Sequence, residues 1–274
     1  MKRPMNADDD IRWLHHREQV MGTVVTFDIA HAPGNEARIF LSIARARKVL
    51  QRADAVFSTW RELSPINRLR RGEITVGEAP PEVAEVLEAC RVAKDVSLGW
   101  FDPWAMPGGV DPTGYVKGWA AERALAALVE GGATRAIVNA AGDIATYGSS
   151  VSSAPYRIGI VDPHDPQHLA CVVEIDGAIA TSGTYERGEH LLDPHTATPC
   201  SRIGSASVVG PDLGLADALA TALAVAGEQG LAIVDAVSGY EALTIGWDGA
   251  WKSTRAFPFS RGTGPHAVRS RQTA

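Results

Sequence analysis

Two oxygen-bearing side chains, Asp217 and Thr221, stand four residues apart in a stretch that is otherwise alanine and leucine. Residues at positions i and i+4 lie on one face of an α-helix, one turn apart, so both side chains can direct an oxygen at the same point. Asp212 precedes the stretch and Gly227 follows it, which predicts a helix over residues 213–226. The apolar neighbours predict that both polar groups are buried.

The predicted burial leaves two interpretations of this pair. A buried carboxylate is costly unless it is paired or binds a metal ion. Two hard oxygens on a rigid helix suit Mg²⁺, which retains bound waters and takes few protein ligands. Alternatively, Asp217 pairs with an arginine and the Thr221 hydroxyl donates to the backbone carbonyl four residues earlier. The spacing alone does not decide between a metal site and a structural pair.

Two histidines and a lysine are further candidates for chemistry. His190 and His195 flank an Asp193-Pro194 turn signal. A histidine is the default proton acceptor at neutral pH, although one beside a turn is also a common surface residue. Lys117 is predicted in the first turn of a helix that follows a loop rich in Gly and Pro. There it either neutralises a phosphate together with the helix N-terminus or is simply solvated.

Two predicted strands end in small residues beside polar ones, over residues 138–143 and 180–187. Glycine at such strand ends lets a ligand approach the backbone closely, but tight structural turns explain both segments equally well. Their glycine spacing matches neither the dinucleotide-binding G-x-G-x-x-G pattern nor the phosphate-binding P-loop. The sequence therefore excludes a Rossmann or Walker site.

Strands and helices interleave along the chain without strict β-α-β repetition, which predicts a mixed α+β fold. Four helices are predicted. The first covers 39–57 and is marked by an apolar stripe, and the second starts at the Pro-Pro pair at residue 80 and ends near Gly99. The third covers 115–130 and the fourth covers 213–226. The predicted strands cover residues 22–30, 135–148 with a turn, 156–161, 170–176, 178–182, 204–209 and 241–247. We expect a disordered extension over residues 1–20, one domain over 21–260, and a disordered tail over 261–274.

Composition limits the partners and the compartment. A formal net charge of −6 over 274 residues gives no basic footprint for nucleic acid. The three cysteines form no C-x-x-C pair, the first twenty residues lack an uninterrupted apolar stretch, and no run of about 18 apolar residues indicates a membrane span. The expectation is a cytoplasmic protein without membrane insertion and without a nucleic-acid partner.

The order of the motifs resembles the ApbE family of FAD:protein FMN transferases over nearly the whole chain after residue 20. The resemblance rests on MGT, FSTWRELS, FDP, VDPTGYVKGWA, NAAGD, ATSGTYER, HLLDPHTATP and ADALATAL, in this order from residue 21 to residue 223. It implies an α+β fold related to the T-fold proteins, with FAD held in a deep groove. The chain departs from the usual family pattern at Arg70, where an asparagine is common, and at Ala141, where a glycine is common.

The resemblance also implies roles for individual residues. Asp217, Thr221 and the backbone carbonyl of Gly114 correspond to Mg²⁺ ligands, and His190 corresponds to the acid–base histidine. The positions that correspond to the flavin-nucleotide site are Met21, Gly22, Thr23, Lys117, Asn139, Gly142, Asp143, Ser182 and Asp193. The implied reaction is Mg²⁺-dependent transfer of FMN from FAD to a Thr or Ser hydroxyl of an acceptor flavoprotein, with AMP as the leaving group. Hydrolysis of FAD to FMN and AMP, and flavin binding without turnover, are the alternatives.

Overall fold

An antiparallel eight-stranded sheet carries the fold, and its edge strands are Arg12–Val20 and Trp251–Ser253. The structure is a computed structural model that describes residues 11–148, 154–183, 191–200 and 202–264. The strands are β1 Arg12–Val20, β2 Thr23–His31, β3 Arg135–Ala140, β4 Asp143–Tyr147, β5 Tyr156–Asp162, β6 Asp165–Ile175, β7 Ala178–Ser182, β8 Leu192–Asp193, β9 Thr198–Pro199, β10 Ser205–Gly210, β11 Glu241–Ile245 and β12 Trp251–Ser253. The helices are α1 Glu36–Phe57, α2 Pro65–Arg70, α3 Pro81–Val96, α4 Thr113–Glu130, α5 Leu213–Ala226 and α6 Gly230–Asp235, with short 3₁₀ turns at Pro103–Ala105 and Gly227–Gln229.

Two hydrophobic cores lie on opposite faces of this sheet. The larger core joins the sheet to the long helices α1, α3, α4 and α5. The smaller core joins the other face to the separate β5–β6 hairpin, through side chains that include Ile144, Ile160, Val173, Ile179 and Phe257. The mixed α+β class predicted from the sequence is therefore confirmed, and the layers are helices, sheet and hairpin.

The predicted disordered extension over residues 1–20 is wrong for Arg12–Val20, which forms β1 and pairs with β2. Two inward positions of β1 hold polar residues, His16 and Glu18, which hide the alternation typical of a strand. Glu18 lies against α1, where it accepts hydrogen bonds from Arg47 (2.5 Å) and Gln51 (2.9 Å). The burial of Glu18 thus depends on partners that the local sequence does not reveal.

The other predicted boundaries lie within a few residues of the observed ones, and α5 matches its predicted span. The tail expected to be disordered from residue 261 begins with placed residues, because the Thr263 hydroxyl donates to the Val172 carbonyl at 2.8 Å. The remaining residues of that tail lie outside the described part of the chain. All three cysteines are buried and free.

Several turns and strand ends gather at one end of the sheet, here called the turn end. The β1–β2 turn at Met21-Gly22 and the β3–β4 turn at Ala141-Gly142 both lie there, because antiparallel pairing joins Val25 to Ala140. Strand β7 ends at Ser182 on the same side. The segments predicted to approach a ligand are therefore neighbours in space.

Two glycines let α4 and α5 approach each other closely. A Cβ added at Gly118 would lie 2.4 Å from the Leu213 carbonyl oxygen, and one added at Gly214 would lie 2.8 Å from the Tyr115 ring. Such distances are far inside van der Waals contact, so both positions require glycine. The close packing brings the first two turns of α4 alongside the polar side of α5.

The apolar character of α5 and the helical turns after it is explained by this packing. Among the described residues, Leu213–Asp235 is the one helical stretch that is long and apolar enough to cross a membrane, contrary to the expectation of no such stretch. However, 67% of its apolar window is buried inside the fold. This burial is typical of a core helix.

The N-terminus of α5 is capped by two carboxylates. The Asp212 side chain accepts from the Leu215 N–H at 2.6 Å, and Glu122 of α4 accepts from the Leu213 N–H at 2.6 Å. Burial and, to a smaller extent, the neighbouring Asp212 carboxylate raise the pKa of Glu122 to about 7, although the helix N–H groups act in the opposite direction. The folded protein therefore retains a proton on Glu122 that the unfolded chain releases near pH 4.5.

This difference predicts a loss of stability as the pH rises. Because the folded state binds more protons between about pH 4.5 and 7, the free energy of unfolding falls across that window and is level above it. We expect wild type to lose roughly 1–3 kcal/mol between pH 4.5 and 7.5 relative to Glu122→Gln, which has no proton to release. Urea unfolding at a series of pH values measures the difference. Parallel pH profiles of the two proteins would contradict it.

Candidate active site

The centre of the candidate site is a pair of buried carboxylates at the α4–α5 contact. Asp217 of α5 is 4% exposed, and Asp143, the first residue of β4, is fully buried. Lys117 of α4 forms an ion pair with Asp143 Oδ2, and the Thr181 N–H donates to Asp143 Oδ1 at 3.2 Å. Two potential negative charges therefore face one ammonium group in the protein interior.

Burial raises the pKa of Asp217 well above its usual range, and the nearby Asp143 carboxylate raises it further. Lys117 and the Gly118 backbone lower the pKa but do not outweigh those two effects. No arginine is among the groups that act on Asp217 in the described part of the chain, so the structural arginine pair considered from the sequence is not what the fold provides. One Asp217 oxygen, Oδ2, is buried without a hydrogen-bond partner.

Further hard oxygens lie one helical turn along α5 from Asp217. Thr221 Oγ1 lies 3.3 Å from Ser182 Oγ, which joins α5 to the end of β7. Gly114 is beside them, since a Cβ added there would lie 3.7 Å from Thr221 Oγ1. The fold thus brings together all three residues that resemblance assigns to Mg²⁺, from two helices far apart in sequence.

These residues fit a magnesium ion better than a transition metal. The described residues contain no group of three or more His, Cys, Asp or Glu side chains arranged to hold a metal. A carboxylate, a hydroxyl and a backbone carbonyl are hard oxygen donors, and Mg²⁺ binds through one or two carboxylates while keeping several waters. A cation here would also balance the second buried carboxylate.

Several residues near this centre have a strained, left-handed backbone conformation. The non-glycine residues with left-handed backbone in the described part of the chain are Met21 (φ 54°), Leu98 (φ 54°), Ala141 (φ 53°) and Ala197 (φ 55°). Met21 and Ala141 belong to the two turns at the turn end, Leu98 follows α3, and Ala197 lies in the turn between β8 and β9. Strained residues of this kind cluster at ligand-binding sites, because the surrounding structure must hold them there.

The remaining predicted site residues have the following positions. Met21 and Gly22 form the β1–β2 turn next to Thr23, and Gly142 donates its N–H to the Asn139 side-chain oxygen at 2.8 Å. Asn139 therefore supports the β3–β4 turn, and contact of these residues with flavin stays a prediction. His190 lies outside the described residues.

Lys117 differs from its predicted place on α4. The helix begins at Thr113, so Lys117 lies in its second turn instead of the first and points to Asp143 rather than to the helix N-terminus. Its side chain is 21% exposed. The ammonium group thus remains accessible to an anionic ligand at the turn end while it is held by a buried carboxylate.

Asp193 is a buried carboxylate that holds two neighbouring residues by hydrogen bonds. It is 3% exposed, one oxygen accepts from the His195 N–H at 2.9 Å, and the other accepts from Arg202 at 2.7 Å. The His195 Nδ1 lies 3.3 Å from the same carboxylate, and its ring packs against Trp100 with centroids 4.4 Å apart.

Sequence reasoning missed Thr181, Trp100 and Arg202 as neighbours of the site. Thr181 lies in the segment over 180–187 that was predicted to approach a ligand, and Trp100 lies in the loop rich in Gly and Pro before α4, whereas no local pattern indicated Arg202. A shallow cleft lined in part by Glu122, Glu130 and Gly177 lies at the opposite end of the sheet, and it contains none of the predicted site residues.

The ion pair of Lys117 with Asp143 yields a stability prediction. Lys117→Met removes the ammonium and leaves the fully buried Asp143 carboxylate unpaired, which costs about 3–5 kcal/mol in the free energy of unfolding. Thermal and urea denaturation of the metal-free protein measure this loss. The double variant Lys117→Met/Asp143→Asn is the control, because it removes the stranded charge and should recover most of the stability. A double variant no more stable than Lys117→Met would refute the pairing.

The sequence is similar to known flavin transferases over about half its length. It is 37% identical over 143 residues to an FAD:protein FMN transferase of Rhodobacter capsulatus, an alignment of 49% of this chain and 27% of that protein. It is 34% identical over 139 residues to an FAD:protein FMN transferase of Vibrio cholerae, covering 46% of this chain and 42% of that protein. Each alignment thus spans less than half of the relative.

The fold is similar to solved structures over nearly the full chain. The ApbE protein of Thermotoga maritima matches with a TM-score of 0.78 at 23% identity, covering 89% of this chain and 98% of that one. The flavin transferase ApbE of Vibrio cholerae matches with a TM-score of 0.76 at 22% identity, covering 93% and 99%. The apo flavinyl transferase ApbE of Pseudomonas stutzeri matches with a TM-score of 0.75 at 22% identity, covering 92% and 98%.

A sequence model of one protein family matches most of the chain. It is the model of the ApbE family, and it aligns with residues 21–109 and 105–244. These spans contain every predicted site residue, including the oxygen cluster at the α4–α5 contact and the two turns at the turn end of the sheet. The chain belongs to the ApbE family.

Proposed function

We propose that this protein is an enzyme that transfers FMN from FAD to a Thr or Ser hydroxyl of an acceptor flavoprotein and releases AMP, in a Mg²⁺-dependent reaction. One observation carries the proposal most directly: Asp143 and Asp217 are both buried, and Lys117 is the cation between them. An unbalanced buried carboxylate calls for a proton or a bound cation. Family membership and the name shared by the two curated relatives support the flavin substrate.

Mg²⁺ would be held by Asp217, Thr221 and the carbonyl of Gly114, where it would neutralise charge on the pyrophosphate of FAD. Lys117 supplies a second positive charge, and its pairing with buried Asp143 fixes the direction of its side chain. Because phosphoryl-type transfers depend mainly on positioning and charge neutralisation, these groups account for the largest part of the expected catalysis.

The proposed reaction is a displacement at the phosphorus of the FMN moiety. The acceptor hydroxyl oxygen forms a bond to the phosphorus of the FMN moiety, and the bond from that phosphorus to the bridging oxygen breaks. AMP departs with the bridging oxygen, and the hydroxyl proton passes to the base, which we propose is His190. No redox step and no further reactant are required.

Flavin binding provides the direct test of the metal. We expect FAD to bind at least about tenfold more tightly with Mg²⁺ than with EDTA, because a cation between Asp217 and the pyrophosphate removes a like-charge repulsion worth more than about 1.4 kcal/mol. Isothermal titration of the apo protein under the two conditions measures the ratio. Equal affinities would exclude a metal that bridges protein and pyrophosphate.

Product analysis separates transfer from hydrolysis. The protein is incubated with FAD and Mg²⁺, first alone and then together with host proteins. Chromatography measures AMP and free FMN, and in-gel fluorescence detects flavin attached to protein. Transfer predicts AMP without free FMN together with a fluorescent protein band, whereas hydrolysis predicts equal amounts of AMP and free FMN. Mass spectrometry of the labelled band for FMN on threonine or serine identifies the acceptor.

The partner and compartment assignments belong to this proposal too. We propose a cytoplasmic enzyme without membrane insertion or a nucleic-acid partner, on the basis of the net charge of −6 and the burial of the most apolar helical stretch. Cell fractionation with an antibody against the protein tests the compartment, and recovery in the membrane fraction would contradict it.

A further inference from the structure

Leu98, just after α3, combines two unfavourable properties. Its backbone is left-handed, with φ at 54°, and its side chain is 71% exposed. An L-residue other than glycine suffers a steric clash in this conformation, and glycine would fit the end of α3 without strain. Leucine at this position therefore contributes neither to the core nor to the turn, which points to a contact outside the chain.

Polar and aromatic side chains continue the surface around Leu98. A Cβ added at the adjacent Gly99 would lie 4.0 Å from His195 Nε2. The Trp100 and His195 rings make a T-shaped contact. The Arg202 guanidinium lies over the Trp100 ring, with its Cζ 5.3 Å from the ring centroid. We call the surface formed by Leu98, Trp100, His195 and Arg202 the Leu98 patch.

One buried carboxylate, Asp193, holds two residues of the Leu98 patch in place. Asp193 bonds to both His195 and Arg202, as described above. The side chains nonetheless reach solvent, with His195 51% and Arg202 42% exposed. A preformed surface of this kind can bind a partner at little cost in side-chain entropy.

The Leu98 patch adjoins the proposed metal site. Cys200 Sγ lies 3.6 Å from the Val225 carbonyl, and a Cβ added at Gly227 would lie 3.5 Å from Arg202 Cβ. Val225 is one helical turn beyond Thr221 on α5. Arg202 therefore lies against the C-terminal end of α5, within two helical turns of Thr221.

The contacts of Trp100 favour a polypeptide over the adenine of FAD as the occupant. Arg202 lies over the indole ring and the His195 ring packs against it, so two protein side chains already occupy positions where a base would stack. The Leu98 side chain and the outer ends of His195 and Arg202 remain exposed, and they suit an apolar side chain beside a carboxylate.

We propose that the Leu98 patch docks the acceptor polypeptide, through an apolar residue against Leu98 and an acidic residue toward Arg202, close to the hydroxyl that receives FMN. This inference rests on the proposed transfer function. It assigns acceptor recognition to residues that the resemblance left without a role.

Three synthetic twelve-residue peptides with a central threonine test the proposal. One carries Leu and Asp beside the threonine, the second has Ser in place of Leu, and the third has Lys in place of Asp. Transfer of FMN is measured by mass spectrometry, and FAD affinity is measured separately by titration. We expect the first peptide to have a kcat/KM at least about tenfold above the other two, which corresponds to the loss of one buried apolar contact or charge-assisted bond.

Leu98 variants distinguish docking from a structural role. Leu98→Gly should melt a few degrees above wild type, because it relieves the left-handed strain, and should lose the preference for the Leu peptide. Leu98→Ala should lose the preference without gaining stability, and Leu98→Met should retain it. Leu41→Ala removes a comparably exposed leucine from α1 (64% exposed) and should change nothing.

The outcomes separate this inference from the function on which it rests. If host proteins become labelled but wild type does not distinguish the peptides, or labels none of them, the docking proposal is wrong and the transfer function stands. If Leu98→Gly changes FAD affinity instead of peptide preference, the patch holds the nucleotide and docking is again excluded. Absence of AMP release and of any labelled protein would overturn the transfer function itself.

Discussion

Asp217→Asn is expected to abolish the response of the protein to Mg²⁺ while leaving the fold intact. The substitution keeps the shape of the side chain but removes the charge of a proposed metal ligand. AMP release from FAD should fall by roughly 10²-fold or more, since even the loss of residues that support metal ligands typically costs 10- to 100-fold. The rise in melting temperature that Mg²⁺ gives the wild type, equivalent to about 2.7 kcal/mol at a hundredfold excess over Kd, should disappear.

The metal-free Asp217→Asn protein should melt at or above the wild-type temperature. Asp217 of α5 lies near Asp143 of β4, and the proximity of that carboxylate raises the pKa of Asp217, so the variant removes a repulsion instead of a favourable pair. A structural arginine partner would have predicted the opposite, a loss of about 3–5 kcal/mol. Calorimetry of both proteins in EDTA makes this comparison.

Thr221→Val is the companion variant, because it preserves volume and deletes the hydroxyl. The hydroxyl contacts Ser182 at 3.3 Å, so its loss should lower apo stability by only about 1 kcal/mol while it weakens the Mg²⁺ response. If Asp217→Asn and Thr221→Val both release AMP at the wild-type rate, the metal assignment is wrong.

His190→Ala is expected to leave FAD binding nearly unchanged and to slow transfer by roughly 10²- to 10⁴-fold, the usual contribution of a general base. FAD binding to the enzyme does not require proton removal, whereas attack by the acceptor hydroxyl does. Single-turnover transfer to a labelled acceptor, with FAD bound to saturation, measures the chemical step apart from binding.

His195→Ala is the matched control for this variant. His195 lies at the Leu98 patch, where Trp100 and Asp193 hold its ring, and we expect its loss to raise the KM for the acceptor with a much smaller effect on the chemical step. A large fall in the single-turnover rate for His195→Ala, with none for His190→Ala, would reverse the two assignments.

Local sequence patterns were sufficient to predict an element whose ends are fixed by its own residues. Helix α5 begins and ends as the sequence predicts because Asp212 caps its first turn through the Leu215 N–H and Gly227 adopts φ 73° after its last residue. The two-residue turn at Ala141-Gly142 follows for the same reason, since Asn139 accepts from the Gly142 N–H three residues later. Such interactions lie within one or two turns of chain.

Local sequence patterns gave wrong predictions where a residue interacts with a partner far away in the chain. Strand β1 was missed because the inward Glu18 is satisfied by Arg47 and Gln51 of α1. The start of α4 was placed two residues late, so the position of Lys117 relative to the helix N-terminus was misjudged. Neither error could be corrected from composition or periodicity.

By itself the sequence determined most of the long elements, the spacing of Asp217 and Thr221 on one helical face, and, through the order of its motifs, the family. Only the tertiary structure decided the partners of Asp217. Whether a buried carboxylate meets an arginine or a second carboxylate depends on how α4, α5 and β4 pack, and that packing is set by the close approach at Gly118 and Gly214. Burial and long-range charge act between residues distant in sequence, which is why Asp143 and Lys117 became interpretable only in the folded chain.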